Sequence, residues 1–151
     1  MKSLWGKTWE QPSFPALDGD MSTDVLIIGG GMAGVLCAYQ LHCAGVPYVL
    51  VESETIGSGI TKNTTAKITS QHGLIYDKLI SKFGVERAKQ YLAANEAALQ
   101  RYRALCRNID CGFEEKAAYT YSRDDRGKIE RELTALNTLG VSAEFVDGIP
   151  L

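Results

Sequence analysis

The chain has 151 residues, 45% hydrophobic and 23% charged, with a formal net charge of −2. That is enough for one domain with a core, and so balanced a charge offers nothing to draw a nucleic acid or an anionic membrane surface. No apolar run approaches the ~20 residues of a bilayer span. Met1-Lys2-Ser3-Leu4-Trp5-Gly6-Lys7 lacks the apolar segment of a secretion signal, so a cytoplasmic location is the default expectation.

In chain order, residues 1–22 hold Trp5, Trp9, Phe14, Pro12 and Pro15. Proline fixes φ and removes a donor, so this segment is expected to be an extended arm, its aromatic residues laid against a folded surface. Val25 to Ile28 form an apolar, β-branched run of the kind a parallel strand buries on both faces. The run stops at Gly29-Gly30-Gly31-Met32-Ala33-Gly34, a match to G-x-G-x-x-G at the expected place. Gly29 suits the tight turn, Gly31 a close pyrophosphate, and Gly34 a close helix–strand approach. A helix then runs to about Ala44, with Gly45 ending it. A second apolar strand, Tyr48 to Val51, delivers Glu52, twenty-one residues after Gly31. That is close to the ~20-residue offset at which an acid accepts hydrogen bonds from an adenosine ribose. A glycine-rich turn in some other α/β unit would not require the acid. The stretch reads as a site for the ADP half of a dinucleotide.

Residues 53–67 hold six Ser/Thr residues and two glycines. A simple NAD-binding unit is expected to enter its next helix after a short loop. A long run of small and hydroxyl side chains instead suits a backbone wrapped around an extended ligand. Helices are expected over residues 74–83, closed by Gly84, and over about 85–107. The longer one carries a buried stripe of Ala88, Tyr91, Leu92, Asn95, Leu99, Tyr102 and Leu105. Alternation of Ala117, Tyr119 and Tyr121 predicts a half-buried strand within 113–122, and 143–146 is strand-like. Between them, Asp124 or Asp125 is placed to cap a helix with a stripe of Ile129, Leu133, Leu136 and Leu139, ended by Gly140. Cys37, Cys43, Cys106 and Cys111 show no zinc-type spacing. Cys106 and Cys111 form C-x-x-x-x-C at the end of a long helix and read as ordinary thiols.

At residues 24–34, Glu52, and Ile56-Gly57-Ser58-Gly59-Ile60-Thr61 the chain resembles FAD-dependent oxidoreductases of the D-amino-acid oxidase, or glycine/sarcosine oxidase, superfamily. Thr64-Thr65-Ala66-Lys67-Ile68-Thr69-Ser70-Gln71-His72-Gly73-Leu74-Ile75-Tyr76 is similar to a bacterial subgroup whose members often carry a C-terminal Rieske iron–sulfur domain. No residues of that domain lie in this chain. The resemblance implies an α/β, Rossmann-like FAD/NAD(P)-binding fold, of which this chain is the N-terminal portion. Residues 23–110 would belong to the FAD-binding domain and 111–151 to the start of a substrate domain. It implies FAD as cofactor and a small amine, amino acid or similar donor as substrate. Gly29, Gly31, Met32, Ala33 and Gly34 would meet the pyrophosphate, and Glu52 and Ser53 the ribose. Gly59 and Thr61 would follow the diphosphate and ribityl chain, and Thr64, Thr65, Ala66 and Lys67 would approach the isoalloxazine ring. Lys67 stands where the amine oxidases commonly have a small or apolar residue. His72 is a weak catalytic candidate at the edge of the flavin site, and Tyr119 and Tyr121 would border the substrate cavity. An NAD(P)-binding protein and a non-catalytic fragment are the alternatives. So short a portion is expected to self-associate and to hold FAD weakly or not at all.

Overall fold

The computed structural model describes Ser3 and residues 12–148, so Met1, Trp5, Trp9 and Ile149 to Leu151 lie outside the described residues. The chain divides into two units, residues 1–67 and 68–151. This division falls at a different point from the 110/111 boundary that the resemblance implies.

In the first unit, strand β1 (Leu26–Ile28) leads into helix α1 (Met32–Cys43) and strand β2 (Val49–Val51). The strands pair in parallel, with Leu26 opposite Val49, Ile27 opposite Leu50 and Ile28 opposite Val51. Gly45 leaves the helix end at φ 67°, as its C′ position requires. Ile27 is buried, but Leu26 is 54% and Ile28 82% exposed. The expectation of a strand buried on both faces is therefore corrected. Helix α1 packs on β1, and within this unit no described element covers the face that carries Leu26 and Ile28. Among the described residues each strand has one partner, and the outer edge of each carries no ladder. Of the aromatic residues of the expected arm, Phe14 is among those described, and it is 67% exposed. With Pro12 and Pro15 nearby, residues 12–18 form neither helix nor ladder.

The second unit is helical: α2 (Tyr76–Phe83), α3 (Val85–Cys106) and α4 (Arg126–Thr138). Gly84 at φ 81° breaks α2 from α3, and Gly140 at φ 81° follows α4. Asp125 is the cap, its carboxylate accepting from the Lys128 amide at 3.1 Å. Tyr76, Ala135 and Leu136 form the core, with Leu79, Ile80, Leu92 and Leu139 packed around them. The expected stripe on α3 is buried or half-buried except at Tyr91, which is exposed and meets Tyr76 edge-on at 6.2 Å.

The expected strands within 113–122 and 143–146 do not form. Side-chain alternation marks an extended segment, but a strand also needs a partner ladder, and no such ladder exists here among the described residues. Tyr119 lines a cleft of about 250 Å³ between these extended segments and α4, together with Gln71, Tyr76 and Glu132. Tyr121 is 66% exposed and lies outside it.

One residue that the sequence did not single out ties this unit together. Glu132, only 3% exposed, faces the start of α2. Its Oε1 accepts from Gln71 Nε2 at 2.6 Å, the Ile75 amide at 3.1 Å and the Tyr76 amide at 3.0 Å, and its Oε2 from the Asp77 amide at 3.0 Å. The N-cap residue Ile75 has no capping side chain. A carboxylate from another helix does that work, satisfying orphan amides where the helix dipole favours negative charge.

Candidate dinucleotide-binding site

The glycine turn is built by contacts that exclude side chains. Gly29 sits at φ 106°, and its amide donates to the Val51 carbonyl at 2.8 Å, locking the turn to the end of β2. A Cβ at Gly34 would overlap the Gly29 carbonyl oxygen and lie 3.4 Å from Ile27 Cγ2, so helix α1 reaches the strand only because position 34 has none. Gly30 is buried, and a Cβ there would run into the Ile56 side chain. The Gly30 carbonyl also accepts from the Gly57 amide at 2.8 Å, tying the turn to the loop after β2. Gly30 and Ile56 were missing from the residues expected to shape the site. The three consecutive glycines are the signal that could have shown Gly30.

Helix α1 begins at Met32 with Gly31 as N-cap, no capping side chain at that position and no acid in the first turn. The Met32 amide donates to Thr61 Oγ1 at 3.1 Å, and that hydroxyl lies 3.5 Å from where a Gly31 Cβ would stand. Thr61 comes from a 3₁₀ turn, Ile60–Asn63, inside the segment expected to wrap the ligand. The turn is closed by Asn63 Nδ2 on the Gly59 carbonyl at 3.5 Å and by the Thr64 amide on the Thr61 carbonyl at 3.4 Å. Ser3 donates its hydroxyl to the Lys62 carbonyl.

Glu52 lies beside the turn. Its Oε2 accepts from the Gly30 amide at 2.6 Å, and its Oε1 from the Glu54 amide and the Ser53 hydroxyl, each at 3.1 Å. The Gly30 amide, then the Glu54 amide and the Ser53 hydroxyl, hold its carboxyl below the usual carboxylate range. The structure thus brings together Gly29, Gly31, Met32, Gly34, Glu52, Ser53 and Thr61, with Ala33 on the first turn of α1.

Thr64, Thr65, Ala66 and Lys67 form no such cluster. The Ala66 amide donates to Thr64 Oγ1 at 3.1 Å, and Ala66 itself is at φ 53°, a conformation that alanine adopts under strain. Thr65 and Lys67 are exposed. His72 belongs to the second unit, is exposed, and meets Asn95 Oδ1 at 3.3 Å. Among the described residues no cluster of histidine, cysteine or acidic side chains could hold a metal, and no helix is long and apolar enough to cross a membrane.

A parallel β-α-β unit with a glycine turn, a helix N-terminus that starts from glycine and a carboxylate after the second strand is the dinucleotide-binding class of α/β fold. The donor set suits an ADP moiety: glycines where a pyrophosphate must approach, a hydroxyl at the helix start, and an ionised acceptor alongside. Residues 24–149 match the family model described as FAD dependent oxidoreductase, and the chain belongs to that family.

The chain is similar to YhfW of Bacillus subtilis, provisionally named a Rieske 2Fe-2S iron-sulfur protein, at 37% identity over 99% of this chain and 30% of the relative. It is 23% identical to the gamma-glutamylputrescine oxidoreductase of Escherichia coli, over 74% of this chain and 26% of that one. A provisionally named FAD-dependent oxidoreductase of Pseudomonas aeruginosa, PA4991, shares 51% identity over 39 residues, 26% of this chain and 10% of its own. The chain thus spans less than a third of the length of these relatives. No solved structure is significantly similar to it.

Proposed function

We propose that this chain is the N-terminal, FAD-binding portion of a flavin-dependent oxidoreductase that oxidises an amine, an amino acid or a similar small donor. The observation that carries the reading is the joined geometry of the Gly29–Gly34 turn, the Met32 helix start and the Glu52 carboxylate. The E. coli relative, by its name an oxidoreductase of gamma-glutamylputrescine, favours an amine donor.

In this reading Gly29, Gly31, Met32, Ala33 and Gly34 present backbone to the pyrophosphate, and the α1 dipole favours its charge. Glu52 has about four acceptor positions, three of them taken. A ribose hydroxyl uses the fourth, and the exposed Ser53 hydroxyl yields another. Gly59 and Thr61 follow the diphosphate and ribityl chain. Thr64, Thr65, Ala66 and Lys67 border the isoalloxazine ring, where the Lys67 ammonium suits negative charge and the strained Ala66 backbone suits a close contact. The chemistry supplied there, when FAD is bound, is acceptance of a hydride from the donor's C–H bond.

Residues 23–110 form part of the FAD-binding domain and 111–151 the start of the substrate domain. These 151 residues alone are inactive, and an iron–sulfur cluster, if the complete protein has one, lies outside them. Amide NMR titration of the chain tests the reading and detects weak binding. FAD should move the amides of 29–34 and 52–54 together with those of 59–67, whereas ADP and NAD should move the first two groups alone. An NAD response extending through 59–67 with none to FAD would replace the flavin assignment by a nicotinamide one. No response at 29–34 to any of the three would remove the site.

A further inference from the structure

Cys106 ends helix α3, with Arg107 as its C-cap. The Ile109 amide donates back to the Cys106 carbonyl at 3.4 Å, and Gly112 takes φ 63°, a left-handed conformation that suits glycine. This tight return brings Cys111 back beside Cys106, close enough for the two thiols to interact. Both thiols are free, Cys106 half-buried and Cys111 exposed. They line an open cleft of about 420 Å³ with Arg103, Arg107, Asp110 and Glu115. Glu115 engages Arg103 at 3.0 and 3.2 Å. Cys37 and Cys43 differ in kind. Six residues apart on one straight helix, they are separated by a rise of about 9 Å, beyond the reach of a disulfide.

We propose that Cys106 and Cys111 are a reversible redox site, at which a small-molecule disulfide of the glutathione class converts the dithiol to an intramolecular disulfide. Exposed Cys111 loses its proton and attacks one sulfur of the oxidised glutathione, breaking that S–S bond and releasing one glutathione thiolate. Cys106 then loses its proton and attacks the Cys111 sulfur of the mixed disulfide, expelling the second glutathione. The protein gives up two electrons, the glutathione disulfide accepts them, and the two protons end on the two glutathione thiols. Burial, and then the interaction with Cys111, push the Cys106 thiol up, which lowers its thiolate fraction and slows closure. The product ring pins residues 107–110 to the end of α3.

Intact-mass analysis and peptide mapping of the reduced 151-residue chain, incubated with oxidised glutathione and quenched in acid, provide the test. The expected product has lost two hydrogens, carries a link between Cys106 and Cys111, and returns to the dithiol with dithiothreitol. Cys106→Ser should stop at a glutathione adduct on Cys111, with Cys37 and Cys43 reacting as unassisted controls. If the serine variant loses its helical circular dichroism, differential alkylation of the unaltered chain before and after oxidation reads the same pair. Glutathione accumulating on Cys111 without closure, links only between chains, or Cys106 still alkylated after oxidation would overturn the proposal.

Discussion

Replacing Glu132 by alanine should open the start of helix α2 without disturbing the first unit. The substitution removes an acceptor from four donors at once: Gln71 Nε2 and the amides of Ile75, Tyr76 and Asp77. Hydrogen bonds to a charged group contribute about 1.5–3 kcal/mol each, but these four share one carboxylate and do not add. Burial of the carboxylate, at 3% exposure, also offsets part of the gain. Removing one partner from a buried charged network costs about 3–5 kcal/mol. At about 1.4 kcal/mol per tenfold, the open population should rise by roughly two to four powers of ten. Glu132→Gln keeps one acceptor oxygen but turns an NH₂ group toward a backbone amide, so it should cost less, about 1–3 kcal/mol. Hydrogen exchange at the Ile75, Tyr76 and Asp77 amides reads this directly, with the amides of α1 as the control. Exchange in the alanine variant at the native rate would refute the clamp and leave Glu132 as a satisfied but dispensable group.

Gly34→Ala puts a methyl group into the Gly29 carbonyl. It should destabilise the first unit by about 1–3 kcal/mol and abolish the FAD-induced amide shifts at 29–34; normal shifts in a folded variant would argue against helix–strand closeness as the role of this glycine. Glu52 should stay ionised as acid is added until the pH falls below the usual carboxylate range. Its folded value is depressed, so the stabilisation it supplies is present above the unfolded value and is lost as pH falls through the folded one. The Gly30 amide shift, followed against pH, should move with that low transition, and a transition at the ordinary glutamate value would refute the carboxylate's grip on the turn. The uncovered face and open edges of the β1–β2 pair, with Ile28 at 82% exposure, should drive association of the isolated chain. Light scattering should show oligomers that Ile28→Lys dissociates, and a monomeric unaltered chain would show that these surfaces do not associate.

What the amino-acid sequence determined by itself is local. Three glycines after an apolar run, a helix closed by Gly45, and an acid after the second run specify β1, α1, β2 and the place of Glu52, because each signal acts within a few residues. Asp125, Gly84 and Gly140 mark helix ends for the same reason: a cap or a positive φ is a property of the adjoining backbone. The tertiary structure decided what each signal was joined to. Glu52 reaches the Gly30 amide and Thr61 the Met32 amide across 22 and 29 residues, separations at which no periodicity reports a partner. Nothing local sets Glu132 apart from the other charges of α4, and it is the packing of α2 against it that makes it the clamp of the second unit. The alternation at Ala117, Tyr119 and Tyr121 states which faces an extended segment would present. A strand needs a neighbour as well, and that is a fact about the fold around the segment rather than about the segment.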